Sequence, residues 1–195
     1  RLSDHLALDE ALATSDELIL AFVLDPYFFA PERAAKLPHR MQFLLESLSS
    51  LEKNIAHLGS RLVVLPGKSR EVIPALARDM RADRVVASRW VEPFARERDR
   101  LVGEALGGIP LDLFEGETLH RPGSLRTGAG RPYSVFTPFS RAFLREVAIA
   151  RPIPAPGALP PPPKGTPKGS TVPSLSDLKI QTNGNLQPGG ERHAR

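Results

Sequence analysis

Gly123-Ser-Leu-Arg-Thr-Gly-Ala-Gly-Arg-Pro-Tyr-Ser-Val-Phe-Thr-Pro-Phe-Ser-Arg-Ala-Phe-Leu-Arg-Glu-Val147 is the segment that decides how this 195-residue chain is read. Thr127, Gly128 and Gly130 make a turn, because glycine adopts the backbone angles a tight reversal needs. Tyr133 to Phe136 is an aromatic, strand-like run. Thr137-Pro138 then opens a helix: Thr caps free amides and Pro suits the first helical turn. The residues alone predict a turn, a short strand and a capped helix. Tyr133, Val135, Phe136 and Phe139 form a packed corner in the simplest reading.

Working back towards Arg1, helical and strand-like segments alternate. Asp4 to Ala13 reads as a short helix. Leu18 to Leu24 is a continuous apolar run ending at Asp25-Pro26, the pattern of a strand buried on both faces. Pro38 to Leu58 carries Met41, Leu44, Leu45, Leu48, Leu51, Ile55 and Leu58 on one stripe, with Gly59 as the stop. Arg61–Leu65 is a strand ended by Pro66-Gly67. Ser69 to Met80 is a helix, locally irregular at Pro74. Arg84–Ser88 is a strand, Pro93 to Leu106 a charged helix, and Ile109 to Phe114 a last strand. Strands separated by helices make a parallel, doubly wound α/β sheet of Rossmann-like type. Such a sheet normally starts on a strand, whereas this chain starts on a helix. The prediction is therefore a doubly wound sheet truncated at its first strand.

Beyond Arg151 the chemistry changes. Half of the 20 prolines and six glycines lie there, including Pro160 to Pro163. Such a segment has little apolar surface to offset its ordering cost, and it reads as a Pro-rich linker. The expected division is an α/β domain over 1–150 and a connecting segment over 151–195.

Charge and composition narrow the function. The formal net charge of +4 resides in the tail; residues 1–150 hold 20 basic and 20 acidic side chains. The α/β part thus carries no overall basic signature for nucleic acid. No apolar run approaches the ~18–20 residues of a membrane span. There is no cysteine, which removes disulfides, thiolate catalysis and Cys-ligated metals. A monomer in the reducing cytoplasm is expected. The five histidines do not cluster at metal-ligand spacing, and Ser88, Ser134 and Ser140 lack a nucleophile-elbow context. No catalytic or metal residue is assigned.

Ser88-Arg-Trp-Val-Glu-Pro-Phe-Ala-Arg-Glu-Arg-Asp99 spans a strand's carboxyl end and a helix start, where ligands bind in open α/β sheets. Trp90, Glu92 and Phe94 are the candidates there, against ordinary packing. Leu37-Pro-His-Arg-Met-Gln-Phe-Leu44 opens the long helix. Arg40 is a candidate anion partner, against a solvated first-turn arginine; Phe43 and Leu44 are candidate ring contacts, against ordinary core.

Taken together, Arg1-Leu-Ser-Asp-His-Leu-Ala-Leu8, Phe22-Val-Leu-Asp-Pro26, Gly59-Ser-Arg-Leu-Val-Val-Leu-Pro-Gly67, Glu92-Pro-Phe-Ala-Arg-Glu-Arg-Asp99, Phe114-Glu-Gly-Glu-Thr-Leu119 and Thr127 to Phe139 resemble, in order and spacing, the N-terminal domain of the DNA photolyase/cryptochrome family. The resemblance implies a light-driven DNA-repair flavoprotein that acts on pyrimidine dimers in damaged DNA. It places FAD in a C-terminal helical domain beyond this chain and an antenna pigment in this domain. Leu186 to Arg195 resembles the start of that helical domain, so this fragment is expected to carry the antenna role only. In the family, the segments around Arg40, Phe43 and Leu44 and around Trp90, Glu92 and Phe94 border the pigment. Folate-binding members place Asn-Glu where this chain has Phe94-Ala95. The resemblance therefore favours a flavin or deazaflavin over methenyltetrahydrofolate. Ser88 departs from the family's usual Asn. A cryptochrome-type blue-light receptor and an unrelated nucleotide-binding α/β domain are the alternatives.

Overall fold

The computed structural model describes residues 1–193; Ala194 and Arg195, the end of the expected connecting segment, lie outside them. Eleven helices and strands follow in order: α1 (Leu6–Thr14), β1 (Leu20–Leu24), α2 (Pro26–Phe29), α3 (Pro31–Ala34), α4 (Pro38–His57), β2 (Leu62–Pro66), α5 (Ser69–Asp79), β3 (Val85–Ser88), α6 (Pro93–Ala105), β4 (Leu111–Phe114) and α7 (Phe136–Glu146). The expected α/β alternation is present, with ends shifted by one or two residues.

The strands form two parallel pairs. Leu20 to Leu24 lie opposite Leu62 to Pro66, and Val85 to Ser88 lie opposite Leu111 to Phe114. The pairs are not hydrogen-bonded to each other. Helices cover them with separate clusters. Leu8 of α1 joins Leu48 and Ile55 of α4 with Leu62 and Val64 of β2. Ala77 of α5 joins Val102 and Leu106, from α6 and its end, against Val85 and Leu111. This is a doubly wound, Rossmann-like arrangement. Its burial is unusual, however. Leu62, Val63 and Val64 of β2 are buried, while every residue of β1, β3 and β4 is half-buried or exposed. Arg84 ties α1 to the second pair, reaching Thr14 Oγ1, Glu10 at 3.8 Å and Asp112 at 3.5 Å. His5 caps α1, accepting Leu8 N at 3.1 Å; burial lowers its pKa from the ordinary value, which keeps the ring neutral for that task.

Two expectations are corrected. Tyr133 to Phe136 forms no strand, because no neighbouring strand offers it a ladder. The helix begins at Phe136 itself, with Val135 at its N-cap, so Thr137 sits inside the first turn and caps nothing. Among its described residues the tail has no regular element except a 3₁₀ turn at Glu191–His193, and it is anchored along its length. Leu159, Leu178 and Ile180 are buried. Ser170 N donates to Val64 O at 2.7 Å on the outer edge of β2. Gln42 exchanges two hydrogen bonds with the backbone of Asn183, at 2.8 and 3.1 Å. A few well-placed apolar residues and backbone bonds hold an extended strap that composition averages do not reveal.

Candidate functional site

The carboxyl ends of β1 and β3 lead to a cluster of exposed aromatic rings. After β1, Asp25 ends the strand and caps α2, accepting Tyr27 N at 3.0 Å. After β3, Arg89 N still donates to Phe114 O at 2.8 Å, and Trp90, Val91 and Glu92 carry the chain to α6. Pro93 then starts the helix and sets Phe94 on its first turn. Tyr27 and Phe94 stack with centroids 4.2 Å apart and planes at 21°. Phe28 meets both rings edge-on, at 4.8 and 5.6 Å. The guanidinium of Arg33 covers Tyr27 at 4.5 Å from its centroid, a cation–π contact.

These rings are not core. Tyr27 is 45% exposed, Trp90 44% and Phe94 39%. Val91 and Phe28 are exposed beside them. In open α/β sheets ligands bind outside the carboxyl ends of the strands, where these exposed side chains stand. Glu92 is at the N-cap of α6 without capping it.

The six residues singled out from sequence fall into two groups. Trp90 and Glu92 lie in the segment between β3 and α6, and Phe94 joins the Tyr27 and Phe28 rings on the first turn of α6. Arg40, Phe43 and Leu44 occupy the first two turns of α4. Leu44 packs on the cluster of Ala34, Met41 and Leu45. Phe43 is half exposed, and Arg40 projects into solvent. No hydrogen bond, ion pair or aromatic contact among the described residues joins the two groups. Tyr27, Phe28 and Arg33 belong to the same aromatic cluster as Phe94 and escaped the sequence reading. A signal existed: Tyr27-Phe28-Phe29 is an aromatic run directly after a strand-ending Asp-Pro. Among the described residues no group of acidic or histidine side chains is arranged to hold a metal, and no helix is long and apolar enough to cross a membrane.

The fold is that of a doubly wound α/β domain, with exposed aromatic rings just past the carboxyl ends of β1 and β3. Residues 1–160 match the profile of the DNA photolyase family, and the chain belongs to that family. A deoxyribodipyrimidine photo-lyase of a Synechococcus strain is 36% identical over 162 residues, which is 82% of this chain and 32% of that protein. A cryptochrome DASH of Gloeobacter violaceus is 35% identical over 187 residues, 93% of this chain and 37% of that protein. A bacterial class III photolyase from Agrobacterium tumefaciens superposes with a TM-score of 0.81 and 28% identity, over all of this chain and 40% of that one. The chain thus spans about a third of the length of these two sequence relatives.

Proposed function

We propose that this chain is the antenna-bearing N-terminal domain of a deoxyribodipyrimidine photolyase, holding a flavin or deazaflavin ring against Tyr27, Trp90 and Phe94. The observation that carries this reading is the set of exposed, partly stacked rings at the carboxyl ends of β1 and β3. A tricyclic ring gains most of its binding from apolar burial and stacking, which these faces offer. A pterin edge needs polar partners; Phe94 presents none and the Ala95 side chain is a buried methyl. The resemblance puts repair of pyrimidine dimers, and the FAD that drives it, in the remainder of the family's length. Residues 1–150 would form the antenna domain and 151–195 the connection onward. The cytoplasm and a monomeric state belong to the same proposal. A blue-light receptor is the second reading, favoured by the identity to a cryptochrome DASH.

Trp90 is the only tryptophan of the chain, four residues ahead of Phe94 and 44% exposed, so its emission is the probe of this site. Titration with flavin mononucleotide is expected to quench Trp90 at concentrations at least about tenfold below those needed with methenyltetrahydrofolate, the weight of one unmatched buried polar group. Phe94→Asp is expected to weaken flavin binding by about tenfold or more. Tighter folate binding, or no effect of Phe94→Asp, overturns the pigment assignment.

A further inference from the structure

We propose that Asp25 is the positioning residue of the pigment site, its two carboxylate oxygens divided between the first turns of α2 and α5. Oδ1 accepts Tyr27 N at 3.0 Å, at the start of α2. Oδ2 accepts Ser69 N and Ser69 Oγ, both at 3.0 Å, at the start of α5. One side chain therefore fixes α2 relative to β2 and α5, which meet at the Pro66-Gly67 turn.

The need for such a tie follows from α2 itself. It is four residues long and none of them is buried. A single turn does not hold its shape from its own hydrogen bonds. Its contact with the core runs through Phe29, which meets Phe22 edge-on at 6.1 Å and packs on the cluster of Ala34, Met41 and Leu45. Tyr27 and Phe28 lie outside that cluster, against Phe94. Their placement depends on the cap at Asp25, on Arg33 over the Tyr27 ring, and on the direct stack with Phe94. Of these, Asp25 alone also bonds to the start of α5.

The electrostatics agree. Burial pushes the Asp25 carboxyl up, but hydrogen bonds from Ser69 and Tyr27, with the Arg98 guanidinium nearby, outweigh it and hold the group below the ordinary carboxylate value. Asp25 is therefore ionised and acceptor-only throughout the neutral range, as two simultaneous N–H caps require.

The inference rests on the pigment reading above, and its test separates the two. Flavin mononucleotide is titrated against the wild-type chain, Asp25→Asn and Ser69→Ala, at a temperature well below each melting transition. Trp90 quenching gives the affinity and flavin anisotropy gives the rigidity of the bound ring. Asp25→Asn keeps the oxygen facing Tyr27 N and turns an amide donor against Ser69 N. It is expected to weaken binding about tenfold and to lower the anisotropy of bound flavin. Ser69→Ala keeps the backbone donor and is expected to cost about threefold; if Asp25→Asn does not fold, this variant decides. Wild type that binds flavin no tighter than either variant, with equal anisotropy, overturns the positioning role alone. A wild-type chain that leaves Trp90 unquenched overturns the pigment reading and this inference with it.

Discussion

An extended apolar strand placed between β1 and β3 raises the melting temperature of this chain by about 10 °C or more. The two parallel pairs each end on an unpaired edge, and those edges belong to strands of half-buried residues. Unpaired strand edges carry free amides and carbonyls and invite association with other chains. A strand of about eight residues bonding to both sides would make about eight hydrogen bonds at about 0.5–1.5 kcal/mol each. Even the low end, about 4 kcal/mol, moves the transition by about 8–16 °C in a domain of this size. The segment should read as a continuous Val/Ile/Leu run, because a strand in that place is covered on both faces. It joins naturally ahead of Arg1, whose guanidinium donates to Gly116 O at 2.6 Å just beyond the carboxyl end of β4; a parallel strand finishing there runs in the direction of its neighbours. Thermal unfolding followed by circular dichroism checks the shift. An unchanged transition, with β1 and β3 amides no better protected from exchange, would show that the edges do not accept a strand.

The long-range order of the fold was legible in the sequence because it is written in periodicity. The stripe from Met41 to Ile55 marks α4, and the apolar runs before Pro26 and Pro66 mark β1 and β2. What escaped was held by contacts rather than by pattern. α2 and α3 are too short to show a period and leave only an Asp-Pro and an Ala-Pro step. The Tyr133 to Phe136 run has strand propensity but no ladder to join, so tertiary context overrode it. At the site, Trp90 and Phe94 were visible from their place after a strand. Tyr27 was not, because its stack on Phe94 joins residues far apart in the chain. The tail was the largest surprise. Proline and glycine content argued for a free segment, yet glycine is what lets it lie so close. A Cβ on Gly169 would stand 2.7 Å from Val64 O, and one on Gly189 would stand 2.4 Å from Phe43 O.

Removing residues 151–195 is expected to abolish cooperative unfolding. Leu159 sits in the cluster of Leu8, Leu48 and Val64, and Leu178 and Ile180 sit with Met41 and Leu45. Fully burying one such side chain contributes about 1.5–3 kcal/mol. Three of them approach the whole net stability of a domain, about 5–15 kcal/mol. The cut would also bare Val63 and Val64 on the outer edge of β2, both fully buried in the intact chain. Gly169→Val and Gly189→Val test the same strap without deletion, since each drives a side chain into backbone atoms of β2 or α4. Glu191 closes the strap onto the first residues, accepting Leu2 N at 3.0 Å, Ser3 N at 3.1 Å and Ser3 Oγ at 2.8 Å. Burial pushes its carboxyl up, but those hydrogen bonds outweigh it and hold the group below its ordinary value of 4.5. A folded-state pKa below the unfolded one means this closure stabilises fully above about pH 4.5 and fades as pH falls through the lower folded value. The protection of the Leu2 and Ser3 amides against exchange should therefore fall on acidification below that point in the wild-type chain. Glu191→Gln should show fast exchange at neutral pH and lack the acid limb. A truncated chain with a sharp two-state transition, or Leu2 and Ser3 amides indifferent to both changes, would mean that the α/β core stands without its strap.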